Sequence, residues 1–367
     1  MNQVENPDDA GDVTAGSVPA GPGGDASAGA VVTIGETMAL LTVPSGRALR
    51  GGAAAPVGFG GAESNVAIGL ARLDVPVTWL SRVGDDAFGS LIVREIRGEG
   101  VQVLATVDPA AQTGLMIKEQ HHGTPWRVRY YRAGSAASRL SPADIRSAAA
   151  LAAIGGARVL HLTGITPALS PTAAAAVDEA IRIARDAGVL VSFDVNYRSA
   201  LWSPAQAAPV LARLCGAADV VFAGVEEAAL VLGLGAAGGV GGAGGVGGAA
   251  ASRDGDTDEP ALAAGLAALG ASTVVLKLGA RGATALSGWH SVTAAPRPIQ
   301  VVDPVGAGDA FVAGYLDALV RGRPPIECLR HGNRLGGAVC RVPGDWEGLP
   351  THDELEFLES DLEDVVR

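Results

Sequence analysis

Short apolar runs alternate with segments of helical periodicity from residue 31 to about residue 340, and this alternation limits the possible folds more than any other feature. The apolar runs contain few polar positions, as strands buried on both faces do. Alternating buried strands and helices form a mainly parallel sheet covered by helices on both faces. The sequence therefore predicts a three-layer α/β fold. The predicted strands are Val31–Ile34, Val77–Ser81, Arg158–Leu162, Val189–Val195, Asp219–Ala223 and Thr273–Leu278. The predicted helices are Ala62–Leu73, Ala87–Gly98, Pro171–Ala187, Pro204–Cys215, Pro260–Leu269, Asp309–Val320 and Pro325–Cys340.

Two stretches interrupt this alternation. Thr113–Glu119 and Trp126–Arg132 are predicted strands, joined through His121–Gly123 in a hairpin. Alternating polarity in the second strand indicates a sheet with one exposed face. Together with residues near 40–60, residues 111–133 are expected to form a small sheet that projects as a lid. The natural place for such a lid is over the carboxyl ends of the parallel strands, where α/β sheets bind ligands.

Two segments lack any periodicity. Residues 1–29 are acidic and rich in glycine and proline, and they are expected to be a disordered tail. Residues 235–258 are dominated by glycine, which loses the most backbone entropy on ordering. They are expected to form a flexible insertion within one main domain, which would span residues 30–360.

The charge balance excludes several classes of function. With 27 basic and 39 acidic residues the formal net charge is −12, so neither nucleic acid nor an anionic membrane is an expected partner. The three cysteines are widely spaced and show no metal-binding pattern, which favours reduced thiols in a cytoplasmic protein. Lys118 and Lys277 are the only lysines, and neither lies in a Walker-type loop, so P-loop NTPases are excluded.

The segment from Asp303 to Phe311, DPVGAGDAF, is the strongest chemical signal. A strand-like run, Ile299–Val302, enters a glycine turn, and a helix leaves it. Close-lying backbone N–H groups and the positive end of the helix together form an anion site. Asp309, at the head of the helix, could accept a proton from a hydroxyl group, or it could simply cap the helix. A base beside a phosphate site is what phosphoryl transfer to an alcohol requires.

Other segments offer groups for binding a polar substrate. Gly61, Ala62 and Asn65 open a helix, where glycine allows close approach of a polyol and the amide supplies donors and acceptors. An ordinary helix start is the alternative. Arg132 and Arg198 could bind one carboxylate together. Arg198 directly follows a strand, so it lies at the end of the sheet where α/β proteins bind ligands. Surface salt bridges are the commoner role of arginine.

Two further segments could serve a nucleotide. Lys277 ends a strand before a turn bracketed by Gly279 and Gly282, which could contact phosphates or form an ordinary hairpin turn. Glu226 and Glu227 follow another strand and could organise hydrated Mg²⁺, or they could be a solvated helix start.

These motifs together resemble the ribokinase-like (phosphofructokinase-B) family of sugar kinases, over about residues 30–350. The resemblance rests on three features: the glycine pair Gly60 and Gly61, the segment GDDAFG at residues 84–89 and the segment 303–311. Within the family the chain is most similar to kinases of 2-keto-3-deoxygluconate. The stretches that support this are YYRAGSAAS at 130–138, LTGITPALS at 162–170 and DVNYR at 194–198, followed by Leu201 and Trp202.

The resemblance implies a role for each matching residue. Asp309 would be the catalytic base for the terminal hydroxyl of the sugar, and Gly306, Ala307 and Gly308 would form the anion hole. The sugar acid would contact Gly61, Ala62, Asn65, Tyr130, Arg132 and Arg198, with Asp345 closing the pocket near the reactive end. The ATP site would comprise Asn196, Gly224, Lys277, Gly279, Ala280, Arg281, Gly282 and Asn333. Glu227 would serve Mg²⁺, with a monovalent cation such as K⁺ as a further expectation. The family's lid often forms a dimer interface, so a homodimer or higher homo-oligomer is expected.

The chain departs from the family pattern at two positions. The asparagine of the magnesium motif N-x-x-E is replaced by Gly224, and position 116 is methionine where related kinases often carry a tyrosine. One alternative is therefore another kinase of this fold, acting on fructose, ribose or a nucleoside. A second is a non-catalytic protein that binds sugar or nucleotide. A nicotinamide dehydrogenase is excluded, because Gly35, Glu36 and Thr37 follow the first strand in place of a glycine-rich fingerprint.

Overall fold

A nine-stranded sheet forms the centre of the molecule in the computed structural model, which describes residues 31–43, 52, 54–121, 124–234 and 258–360. Its strands are β1 (Val31–Ile34), β4 (Val77–Gly84), β5 (Gln102–Asp108), β8 (Val159–Thr163), β9 (Leu190–Asp194), β10 (Val220–Gly224), β11 (Thr273–Lys277), β12 (Ala283–Ser287) and β13 (His290–Ala294). Their spatial order is β13-β12-β11-β10-β9-β8-β1-β4-β5. All neighbours pair in parallel except β11–β12 and β12–β13. The carboxyl ends of the parallel strands therefore meet along one edge.

Helices cover both faces of this sheet. One apolar layer packs β-strand side chains against α1 (Ala62–Arg72), α2 (Ala87–Gly98), α10 (Ala307–Val320) and α11 (Pro325–Val339). The opposite layer includes side chains of α3 (Pro142–Ile145), α4 (Ala148–Gly155), α6 (Pro171–Asp186), α7 (Pro204–Gly216), α8 (Val225–Val231) and α9 (Glu259–Ala268). Short α5 (Ile165–Leu169) and α12 (His352–Ser360) complete the helices of the described segments. The central strands are buried on both sides, which explains their nearly continuous apolar sequence.

A separate four-stranded sheet stands beside this core. It contains β2 (Met38–Val43), β3 (Val57–Gly60), β6 (Leu115–His121) and β7 (Thr124–Tyr131), in the order β3-β2-β6-β7. The β6–β7 pair is an antiparallel hairpin, and β2 pairs with β6 in parallel. Met38, Leu40 and Met116 form its small apolar cluster. The predicted three-layer fold and second, smaller sheet are both confirmed.

One predicted strand is wrong. Residues 299–302 form no strand, and Val302 instead donates its backbone N–H to the carbonyl of Cys340. The sheet edge is already occupied by β13, so the apolar side chains of Ile299 and Val301 stay exposed. The strands β5, β12 and β13 were not predicted. β5 and β13 are the two edge strands and β12 lies next to β13, where partial burial weakens the apolar pattern.

Some predictions concern residues outside the described part of the chain. These are the tail 1–29, nearly all of the insertion 235–258 and part of the lid segment near 40–60. Among the described helices, none is long and apolar enough to cross a membrane.

Candidate active site

The loop before α10 is shaped to present backbone N–H groups. The carboxylate of Asp303 accepts a hydrogen bond from the N–H of Val305 at 3.1 Å, which fixes the turn. Gly306 has φ +78°, and the carbonyl of Asp345 lies where a side chain at position 306 would be. Only glycine fits this position without strain. Since α10 begins at Ala307, the N–H groups of residues 307–309 have no helical partner four residues earlier, although that of Ala307 donates to the carbonyl of Pro304 at 3.3 Å. Such a helix start can bind an anion.

Asp309 is the third residue of α10, and it does not cap the helix. Its Oδ2 accepts a 2.8 Å hydrogen bond from the Asn65 side-chain amide. Burial raises the pKa of Asp309 to about 6, while the Asn65 hydrogen bond and the charges of Arg198 and Lys277 oppose that rise and Asp194 adds to it. A carboxylate with a pKa near the working pH, held beside an anion site, is suited to act as a general base.

The amino-terminal end of α1 lies against this base. Gly61 precedes the helix, and a side chain there would collide with the carbonyl of Glu36. Asn65 is buried, and its Oδ1 accepts a 3.4 Å hydrogen bond from the Gly61 N–H. Asn65 therefore orients Asp309 while its own amide is fixed by the helix start. Glu63, on the first turn, is fully buried, and burial raises its pKa to about 7.

Asp345 contacts both Gly60, just before α1, and Gly306, just before α10. Its carboxylate contacts Gly60 so closely that a Cβ on that glycine would be 2.6 Å away. Burial raises the pKa of Asp345 to about 6, although the charge of Lys118 opposes this rise. The structure thus brings Asp345, the start of α1 and the turn before α10 together.

The two predicted carboxylate-binding arginines have different environments. Arg132 is 10% exposed and forms an ion pair with the fully buried carboxylate of Glu36, at 2.5 Å from Nη2. Ser135 donates to the same carboxylate at 2.5 Å. A protein carboxylate therefore already occupies one edge of the Arg132 guanidinium. Tyr130 lies against that guanidinium, with 5.9 Å between the guanidinium carbon and the ring centre.

Arg198 has a freer side chain. It is exposed just beyond the carboxyl end of β9, and it forms no ion pair within the described segments. The positive charge of Arg198 lowers the pKa of Asp309, so the guanidinium is near enough to stabilise the ionised carboxylate. Of the two arginines, Arg198 is the better placed to receive a substrate carboxylate.

Lys277 extends the site towards β9 and β11. Its ammonium contacts both carboxylate oxygens of Asp194 at 2.7 Å. It also lies 3.8 Å from where a Cβ on Gly308 would be. Burial alone would lower the pKa of Lys277, but the charges of Asp194 and Glu227 raise it. A permanent positive charge thus lies beside the anion site.

The other residues predicted to bind ATP lie around this edge. Asn196 has φ +37°, and its buried Oδ1 has no hydrogen-bond partner. The segment Gly279–Arg281 is a short 3₁₀ turn within the β11–β12 hairpin, at the same edge of the sheet as Lys277. Arg281 pairs with Glu259, and Asn333 donates to the carbonyl of Ala294 at 2.8 Å.

Glu227, the predicted magnesium residue, already has protein partners. Its carboxylate accepts N–H hydrogen bonds from Gly224 at 2.7 Å and Tyr197 at 2.9 Å. No group of three or more potential ligands forms among the described residues. Mg²⁺ commonly binds through one carboxylate together with waters and substrate phosphates, so a single glutamate with remaining lone pairs fits that mode.

Sequence reasoning missed four charged residues of the site. Asp303, Glu36 and Asp194 each hold a basic group, and Lys118 reaches Asp303 from the small sheet at 2.9 Å. The rarity of lysine was a signal, because both lysines of the chain converge on the loop 303–309.

A buried carboxylate in the first turn of a helix that follows a tight glycine turn, at the carboxyl edge of the sheet, is the arrangement expected of a phosphoryl-transfer enzyme of ribokinase-like fold, and comparison with known proteins agrees. Residues 29–352 match the pfkB family of carbohydrate kinases, and the chain belongs to this family.

Individual relatives cover most of the chain. It is 35% identical over 330 residues to a 2-dehydro-3-deoxygluconokinase of Bacillus subtilis (strain 168), covering 88% of this chain and 93% of the relative. It is 33% identical over 331 residues to a 2-dehydro-3-deoxygalactonokinase of Haloferax volcanii, covering 89% and 95%. The crystal structure of a PfkB protein from Polaromonas sp. JS666 superposes with a TM-score of 0.74 at 34% identity, covering 89% and 98%.

Proposed function

We propose that this kinase transfers the γ-phosphoryl group of ATP to the terminal hydroxyl of 2-keto-3-deoxygluconate, also called 2-dehydro-3-deoxygluconate. The product is 2-keto-3-deoxy-6-phosphogluconate. The observation that carries the proposal is the Asp309 carboxylate, oriented by Asn65 within the first turn of α10. The named activity of the Bacillus subtilis relative supports the choice of sugar.

The proposed reaction is a direct transfer between the sugar hydroxyl and ATP. Asp309 takes the proton as the sugar oxygen forms its bond to the γ-phosphorus, and the bond from that phosphorus to the β,γ-bridging oxygen breaks to release ADP. The N–H groups at Gly306–Gly308 bind the transferring group, and Lys277 offsets its negative charge. Mg²⁺, held by Glu227 and the phosphates, would supply further charge neutralisation.

The acidic sugar is proposed to lie between the α1 start and Arg198. Gly61, Ala62 and Asn65 would contact hydroxyl groups, while Tyr130 and Arg198 would contact the acidic end. Arg132 acts on this pocket through its ion pair with Glu36, whose backbone carbonyl packs on Gly61. Asn196, Gly224, the turn 279–282 and Asn333 are proposed to line the nucleotide site.

The galactonate epimer is a second candidate substrate. The Haloferax volcanii relative, at 33% identity, carries that activity in its name. The two sugars differ in the orientation of one hydroxyl group, so their kcat/KM values must be measured side by side.

The deciding experiment is ADP release by the purified protein with Mg²⁺–ATP and a sugar panel. The panel contains both 2-keto-3-deoxy acids, 2-ketogluconate, fructose, ribose and adenosine, with Asp309→Asn as the control. Turnover restricted to the keto acids, with phosphate at the terminal carbon by ³¹P NMR, is the expected result. Turnover only with fructose, ribose or adenosine would refute the substrate, and binding without turnover would favour the non-catalytic alternative.

Two accompanying properties are also proposals. Replacing K⁺ by tetramethylammonium tests whether a monovalent cation supports activity. The molecular mass in solution tests whether the chain forms a homodimer through its small sheet.

A further inference from the structure

The lysine of the small sheet is directed into the phosphoryl-transfer site. Lys118 lies on β6, yet its side chain is 5% exposed, and its ammonium donates to Oδ2 of Asp303 at 2.9 Å. The nearer carboxylate oxygen of Asp345 is 3.7 Å from the same ammonium. One cation of the small sheet thus lies between two aspartates of the main core.

Asp303 connects this cation to the anion site. Its carboxylate also accepts backbone hydrogen bonds from Val305 at 3.1 Å and Gly344 at 3.4 Å. The side chain is 3% exposed, so these contacts are screened from water. A single buried carboxylate therefore joins β6, the turn before α10 and the loop that carries Asp345.

Asp345 contacts the same turn from the other side. Its backbone carbonyl lies against Gly306, the residue whose left-handed conformation sets the start of α10. Asp303 and Asp345 therefore hold this turn between them, and Lys118 holds both aspartates.

The charge of Lys118 also matters where a phosphate must bind. Asp303, Asp345 and Asp309 place three carboxyl groups around the amino-terminal end of α10. Unbalanced carboxylates there would repel the anion that the helix end attracts. Lys118 and Lys277 supply the two fixed ammonium groups that offset them.

We infer that Lys118 is a positioning residue for phosphoryl transfer: its ammonium ties the small sheet to Asp303 and Asp345 and thereby sets the anion-binding turn. Because this cation belongs to β6, the position of the small sheet and the geometry of the turn at Gly306 are linked. The inference rests on the proposed kinase function.

The variants for the test are Lys118→Met, Lys118→Arg and Lys118→Ala. Arg129→Met is the matched control, because Arg129 is a cation on the adjacent strand β7 whose side chain is 51% exposed. We expect K118M to lower kcat about 100-fold, as small misplacements of reacting groups do, with both KM values changed less than about threefold. K118R should keep at least a tenth of the activity, since it retains the charge, and R129M should match the unaltered chain.

Chemical rescue separates positioning from a structural role. Propylammonium should restore kcat of K118A saturably, whereas KCl at equal ionic strength should not. Loss of kcat without rescue, together with a lower melting temperature, would contradict the inference. A KM for the sugar raised tenfold at unchanged kcat would mean that Lys118 contacts the substrate, and would also overturn it.

Hydrogen exchange provides a readout that needs no turnover. Backbone amides of residues 305–309 should exchange faster in ligand-free K118M than in R129M or the unaltered chain. Equal exchange in all three proteins would refute the inference that Lys118 stabilises the turn before α10, even if the chain proves to phosphorylate a different sugar. If the unaltered chain phosphorylates no sugar, the proposed function fails, while the exchange result still decides the tie.

Discussion

The side-chain amide of Asn65 donates a 2.8 Å hydrogen bond to the carboxylate of Asp309, across 244 positions of sequence. The bond joins the first turns of α1 and α10, which approach the carboxyl-terminal edge of the large sheet. It orients the proposed base and stabilises its charged form. The residue predicted to bind the sugar is therefore also the residue that prepares the base.

The activity should depend on pH through Asp309. Burial raises the pKa of this carboxyl to about 6, and only the ionised form accepts a proton. We expect kcat/KM to fall tenfold per pH unit below about pH 6 and to be level between pH 7 and 8. Asp345, whose pKa is also raised to about 6, provides the control. The acid limb should persist in D345N, and its loss there would assign the limb to Asp345.

Asn65→Ala should move the acid limb to higher pH. The hydrogen bond from Asn65 opposes the burial-induced rise in the pKa of Asp309, so its removal leaves that pKa higher. The expected loss of kcat/KM is roughly 10-fold to 100-fold at pH 7, with partial recovery at pH 8.5. A pH profile measured from 5 to 9 checks this. An unchanged midpoint with a uniform loss would show that Asn65 serves only the sugar.

Asp309→Asn should lose activity and gain stability. A buried carboxyl with a raised pKa disfavours the folded state once it is ionised, so the native protein loses stability as pH rises from about 4 to 6. The neutral amide removes this loss. We expect the free energy of unfolding at pH 8 to increase by on the order of 1–2 kcal/mol, and activity to drop at least about 1,000-fold. Urea titrations at pH 4 and pH 8 measure the difference, which should vanish at pH 4.

Arg198→Ala and Arg132→Ala should have different effects. Arg198 is exposed, so its loss should raise KM for the sugar acid about 10-fold to 100-fold and leave stability unchanged within about 0.5 kcal/mol. Removing Arg132 leaves the Glu36 carboxylate buried and unpaired, which costs about 3 kcal/mol. KM values and thermal unfolding of both variants test this. A large KM effect in a fully stable R132A would restore direct substrate contact to Arg132.

Gly306→Ala and Gly308→Ala separate the shape of the turn from the space it encloses. Position 306 has φ +78° and contacts the Asp345 carbonyl, so G306A should lose at least about 2 kcal/mol of stability. Among the described residues, a Cβ at position 308 would approach only the Lys277 ammonium, at 3.8 Å, so G308A should fold normally. Its methyl group should still lower kcat/KM, because it occupies the approach to the anion site. Unfolding curves that do not differ between the two variants would contradict this account.

Sequence reasoning succeeded where local pattern and buried position agree. The helix over Ala87–Gly98 was predicted at its exact bounds, and the core strands were found because both their faces are buried. It failed at Ile299–Val302, where apolar residues stay exposed because β13 already fills the edge. The ion pair of Arg132 with Glu36 also escaped prediction, since no local sequence signal connects the two residues.

The sequence by itself determined the layered α/β architecture, the anion-binding turn and the candidate base, because periodicity, glycine and helix-start chemistry are local properties. Only the tertiary structure decided which charges meet. It paired Lys118 with Asp303, Lys277 with Asp194 and Arg132 with Glu36, and it left Arg198 open to the site. Ion pairs form between residues that topology brings together at a sheet edge, and burial there sets both their strength and the pKa of Asp309. The local sequence specifies neither the distances between these charged groups nor their burial.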